Sequence, residues 1–216
     1  MAAEMARRMG AVVVAVGPEI RAAGFRKFRH TFNRSPETGL VHVVNFQMGP
    51  YEPPGTISVP GLREDMYGMF AINFGIFLEE IGRAFNVLPK NEVVHEYHCE
   101  IRGRAGRLSM KNKEWWFRLD REPERVAAET SEALGNEVIP FLDAMSNRRA
   151  ILDAWFRGEL SGLMSPRSPL AMAVVLKQVG EIDEARRLTS DYLEKGPHGP
   201  AHVEWATERA RALDLV

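Results

Sequence analysis

The chain has one cysteine among its 216 residues, Cys99. A lone thiol has no intrachain partner, which excludes a disulfide scaffold and points to a reducing cytoplasmic setting. No apolar run reaches the roughly 18 residues of a membrane helix, so no span is expected. Charge of one sign is also missing. Lys and Arg total 28, Asp and Glu 29, for a net charge of −1. Residues 1–120 hold 16 basic and 13 acidic side chains (+3) and residues 121–216 hold 12 and 16 (−4). So mild an asymmetry argues against bulk attraction to nucleic acid or an anionic membrane. Signatures of chemistry are absent too. There is no GxSxG elbow, Walker loop, GxGxxG or HExxH.

Arg7-Arg8 ahead of Ala11–Val16 faintly resemble a twin-arginine signal, but six apolar residues followed by Pro18, Glu19 and Arg21 are too short and too polar for one. The same residues make a good helix. Met5, Met9, Val12, Val13, Val16, Ile20 and Ala23 fall on one stripe that Gly24 ends.

Five segments then read as strands: 24–34, 39–47, 69–77, 95–108 and 113–119. Phe28, His30 and Phe32 alternate with polar residues, and Ser35–Gly39 is a turn of hairpin length. Phe70, Ile72, Phe74 and Ile76 share one face of the third segment, with Asn73 and Gly75 on the other. A loop from Gly49 to Gly68 carries four prolines, and such loops serve either as functional flaps or as plain excursions. Glu79–Leu88 reads as a short helix stopped by Pro89. From Glu122 the period becomes helical through Phe156, with Pro140 set to interrupt it. Ser161–Ser168 is the best boundary, and three helices are expected over Pro169–Val179, Ile182–Lys195 and His202–Leu213. The expected fold is α+β: an antiparallel sheet of about five strands packed against helices (residues 1–160), then a C-terminal three-helix appendage (166–216).

The order of a first helix, GFRKFRHTFNR, GLVHVVNFQ, FAINFGIF, CEIRGRAGRL, the WW segment and VIPFLDAM resembles the bacterial domain-of-unknown-function 4304 family over residues ~10–156. That resemblance supports the fold and implies no reaction. In the tail, Ala173, Leu176, Gly180, Ala185, Tyr192 and Pro197 stand at offsets similar to a tetratricopeptide repeat. One helix pair and one extra helix fall short of the three or so repeats of a free-standing solenoid.

His95, His98 and Cys99 invite a zinc reading. In a strand, His98 would point away from the other two, so they could not share a tetrahedral ion. His198 and His202 sit among prolines and glycines and lack the metalloprotease glutamate. No metal, cofactor or nucleophile is therefore expected. What remains is the second face of the sheet, where Asn45, Gln47, Asn73, Arg102, Arg104 and Trp116 would gather, with Arg118 at the edge. Arginines and amides grip carboxylates, phosphates and peptide groups through directed hydrogen bonds. An antiparallel sheet covered on one side must also be polar on the other, ligand or none. The expected function is a non-catalytic module that binds a protein partner or a small anionic ligand, with an immunity or antitoxin partner as one form suggested by architecture and size. The alternative is an enzyme on a small anionic substrate, with Arg102 and Arg104 as clamp and His30, His42 or His98 as acid/base. Oligomeric state is not legible.

Overall fold

A computed structural model describes residues 2–49, 66–106, 108, 116–165, 167–195 and 199–216. Most of the Gly49–Gly68 loop, Arg107, Trp115 and His198 lie outside the described residues. The first helix, α1, spans Ala2–Ala22 and buries Met9, Val12, Val13, Val16 and Ile20, most of the expected stripe. Gly24 ends it in the left-handed conformation (φ 86°). Its N–H donates to Arg21 O and that of Phe25 to Ile20 O, the paired closure that glycine makes easy.

Six strands follow: β1 (Arg26–Phe28), β2 (Thr31–Glu37), β3 (Leu40–Met48), β4 (Met69–Leu78), β5 (Ile101–Arg104) and β6 (Trp116–Arg118). They form one antiparallel sheet in the order β1-β2-β3-β4-β5, with β6 also paired to β4. The extra strand comes from the first expected segment, which reverses at Arg29 (φ 57°) and becomes β1 and β2. The pairing Lys27↔Phe32 and Phe28↔Thr31 then puts Phe28 and Phe32 on opposite faces, not the same one. Phe32 is fully buried, whereas Phe28 lies beneath the Arg26 guanidinium. Alternation alone cannot show such a turn when no Gly or Asn marks it. The 95–108 segment is likewise shorter as a strand than expected: Glu96–His98 is a single 3₁₀ turn and only Ile101–Arg104 pairs.

The helices are α2 (Glu79–Phe85), α3 (Pro123–Ala133), α4 (Ile139–Ala144), α5 (Arg148–Phe156), α6 (Ser168–Gln178), α7 (Ile182–Lys195) and α8 (Pro200–Ala212). A π-helical turn, Leu134–Val138, joins α3 to α4 just ahead of Pro140. There the N–H of Ile139 reaches back five residues to Leu134 O. Pro140 has no N–H to give and its ring crowds the preceding turn, which a wider turn relieves. Among the described residues no helix is long and apolar enough to cross a membrane.

The chain resolves into two compact units, and β2 to β5 contribute residues to both. One comprises Met1–Arg34, Val43–Phe74 and Gly103–Asp143. In it α1 packs on α3, Ser131 donates a hydrogen bond to Glu19, and Phe32, Phe46, Phe70 and Phe117 form a chain of ring contacts. The other comprises Ser35–His42, Gly75–Arg102 and Ala144–Val216. There α6 packs on α2, α5 and α7, and α7 on α8. Arg148, 8% exposed, is fixed by both oxygens of Glu80 (2.8 Å each), by Glu37 and by Thr38 O. The Glu80 bonds, ahead of the opposing cost of burial, raise its already high pKa.

Gly75 in β4 shows how closely this second unit is packed. A Cβ there would lie 2.7 Å from the Cys99 sulfur and 2.8 Å from its Cβ. Gly75→Ala is therefore expected to cost about 1–3 kcal/mol. In the Cys99→Gly background, which removes both the sulfur and the Cβ, the cost should shrink, since the two changes share these contacts. Urea denaturation of the four proteins checks this, and equal costs in both backgrounds would remove Cys99 as the cause.

Candidate functional site

Side chains two apart on a strand share a face, so Asn45 and Gln47 of β3 point together. Their partners Phe46 and Val44 go to the core. On β4 the same rule separates Asn73 from Phe70, Ile72 and Phe74. The β4–β6 register sets Ala71 opposite Trp116 and Phe70 opposite Phe117, so Trp116 joins the Asn73 face. The Phe117 ring stacks on Phe70 at 5.1 Å in the core. Just past β5 the N–H of Ala105 donates to Ile72 O (2.9 Å), which anchors Arg104 alongside β4.

The result is a hydrogen-bonded array within the first unit. Asn73, only 4% exposed, donates through Nδ2 to Gln47 Oε1 (2.7 Å) and more weakly to Asn45 Oδ1 (3.4 Å). Its Oδ1 accepts from Arg104 Nε (3.0 Å). Asn45 in turn donates to Thr31 Oγ1 (2.9 Å). The Arg104 guanidinium lies 4.9 Å from the centre of the Trp116 ring. A buried amide left unpaired costs about 1–3 kcal/mol, so Asn73 fixes the directions of its neighbours. Cation–π contact adds about 0.5–1 kcal/mol and draws the guanidinium toward the indole face.

Thus Asn45, Gln47, Asn73, Arg104 and Trp116 come together. Arg102 is exposed and falls in the second unit, where its main-chain N–H donates to Leu163 O. Arg118 pairs with Asp120 at the surface. Thr31 is the member that sequence reasoning missed: parity puts it on the face opposite Phe32, but its bond to Asn45 depends on how β2 and β3 are aligned. Glu137 was missed as well. Carried by the π-helical turn and 8% exposed, it accepts main-chain N–H bonds from Gly106 (2.8 Å) and Leu108 (3.1 Å) and shapes the chain just after Arg104.

The histidines have other commitments. His42 is fully buried with Nε2 3.0 Å from Met145 O. In the 3₁₀ turn the His98 ring accepts the His95 main-chain N–H at Nδ1 (3.1 Å), and the His98 main-chain N–H donates to His95 O (3.0 Å). That arrangement replaces the strand geometry expected of His95, His98 and Cys99. Among the described residues no three His, Cys, Asp or Glu side chains are grouped to hold a metal. Cys99 is buried, and burial, with Glu96 nearby and Arg102 opposing, pushes its thiol well above the ordinary range, so it is a poor nucleophile.

The model of the domain of unknown function DUF4304 matches residues 16–144, more than half of the chain. The chain belongs to this family. No curated protein and no solved structure matches it. Every member of the polar array lies inside the DUF4304 match, whereas α5 to α8 follow it.

Burial of the His98 ring, whose Nδ1 accepts the His95 N–H, gives the chain a pH dependence. Burial, reinforced by His95 and opposed by Glu96, lowers the His98 pKa from its ordinary 6.5. The folded state thus favours the neutral ring, whose Nδ1 can accept. The stabilisation is present above pH 6.5 and is lost as the pH falls through the lower folded value. Between pH 7.5 and 5 the wild type should lose more stability than His98→Asn, which keeps an acceptor and does not titrate. Urea midpoints at both pH values check this, and parallel profiles would refute it.

Proposed function

We propose that the chain is a non-catalytic binding module whose polar sheet face engages a protein partner or a small anionic ligand. The observation that carries the reading is the double hold on Arg104, by a buried amide at Nε and by an indole face at 4.9 Å. A guanidinium oriented in advance loses less freedom when it meets a carboxylate or phosphate. Exposed Gln47 extends the same face with an amide able to bond a peptide group. Trp and Arg together are also the residue types that dominate protein-binding hot spots. A bacterial cytoplasm is the setting this reading assumes, and an immunity or antitoxin partner is one form it takes.

The test measures binding by calorimetry to acetate, succinate and inorganic phosphate, and to the purified product of the adjacent gene. At least one should bind, and Trp116→Ala and Arg104→Ala should each weaken it about tenfold or more, the range of a charge-assisted hydrogen bond. Trp116→Ala leaves the Asn73 bonds in place, so it separates binding from stability. Absence of binding to all four, or binding by both variants as tight as that of the wild type, would overturn the reading.

A further inference from the structure

We propose that the cleft between the start of α1 and the segment Leu119–Val126 is a second anion site, built for a compact carboxylate with an apolar flank. Its polar lining is Glu4, Arg7, Arg8 and Arg121, and Arg121 is also paired with Glu129 (3.4 Å), so three guanidiniums face two carboxylates and leave a net +1. The opposite lining is apolar, with Val12, Leu119 and Val126 almost fully buried and Pro123 beside them. The cleft holds about 200 Å³. That is less than the roughly 300 Å³ of the smallest drug-sized sites, so it suits a ligand of one ring or one short branched chain.

Glu4 shows that the arginines already form a carboxylate grip. Its Oε2 takes Arg7 Nη2 (2.6 Å) and Nε (3.0 Å), and its Oε1 takes Arg8 Nε (2.9 Å). Arg8 is also tied to Leu119 O (3.0 Å), which fixes one guanidinium against the apolar wall. The Arg7 side chain is 76% exposed and that of Glu4 37%, so their pairing is a surface ion pair weakened by solvent screening. An incoming carboxylate can displace it at little cost. Glu4 thus stands in for the ligand in the unliganded chain and competes with it. The site shares no residue with the array around Asn73 and stands whether or not that face binds anything.

The probe is benzoate, with benzyl alcohol as its neutral counterpart, followed by chemical-shift titration of the isotope-labelled full chain. Benzoate should shift α1 and Leu119–Val126 resonances saturably, more weakly as salt rises, and benzyl alcohol should not. Glu4→Gln should tighten benzoate roughly threefold by removing the internal competitor. Arg8→Gln should weaken it about tenfold or more. No saturable shift, equal affinity for the alcohol, or looser binding in Glu4→Gln would each overturn the proposal. Should Arg8→Gln fail to fold, the Glu4→Gln and alcohol measurements still decide.

Discussion

A primary amide buried in a central strand sets the terms for the first unit. Asn73 interrupts an otherwise apolar β4, every residue of which after Met69 is buried. Its donor and acceptor cannot turn to bulk water, so each must find a protein partner. Gln47 and Asn45 from β3 and Arg104 from the end of β5 meet that need. The demand spreads outward, because Asn45 must in turn satisfy its own amide and does so on Thr31. A polar network of this kind fixes strand register, since a slip of one residue would carry every amide into the core and every Phe out of it.

In the second unit the corresponding constraint is ionic. Arg148 sits between Glu37 and Glu80, nearly out of solvent, and its main-chain N–H donates to Glu37 as well. Removing one partner from such a set would strand a buried charge, so the hairpin turn at Thr38, the start of α2 and the start of α5 are fixed together. Glu100 does the same for the approach to α6, taking hydrogen bonds from Ser165 and Ser168. Loops that sequence composition marks only as breaks are thus pinned by carboxylates far away in the chain.

Much of this frame is legible in the sequence because it rests on local period. The α1 stripe, the alternation in β3 and β4, and the three tail helices are all readable from spacing, and α6 to α8 start within two residues of where the pattern puts them. The reversal at Arg29 is not readable, because a left-handed arginine carries no turn signature. Nor is the 3₁₀ turn at Glu96–His98, where the His98 imidazole accepts the main-chain N–H of His95, a contact that no propensity signals. Of the candidate site, face membership followed from strand parity, which gathered Asn45, Gln47, Asn73 and Trp116 correctly. The bond directions did not, because they depend on cross-strand register.

The arginines show where sequence reasoning stops. Arg102 and Arg104 are two residues apart on one strand, so parity alone makes them a pair. Parity says nothing of company. Arg104 is turned by an amide and an indole, whereas Arg34 spans Ala23 O, Asp143 and the Phe25 ring, and Arg148 is enclosed by carboxylates. A buried guanidinium enclosed by carboxylates, as that of Arg148 is, serves the fold. One oriented by an amide and a π-face is aimed without being neutralised by those two contacts, and its electrostatic reach is governed by what else approaches it. The side chain is the same in each case, so the distinction lies wholly in partners that the tertiary structure supplies. It is for this reason that an arginine count, or an arginine spacing, identifies a patch but not a site.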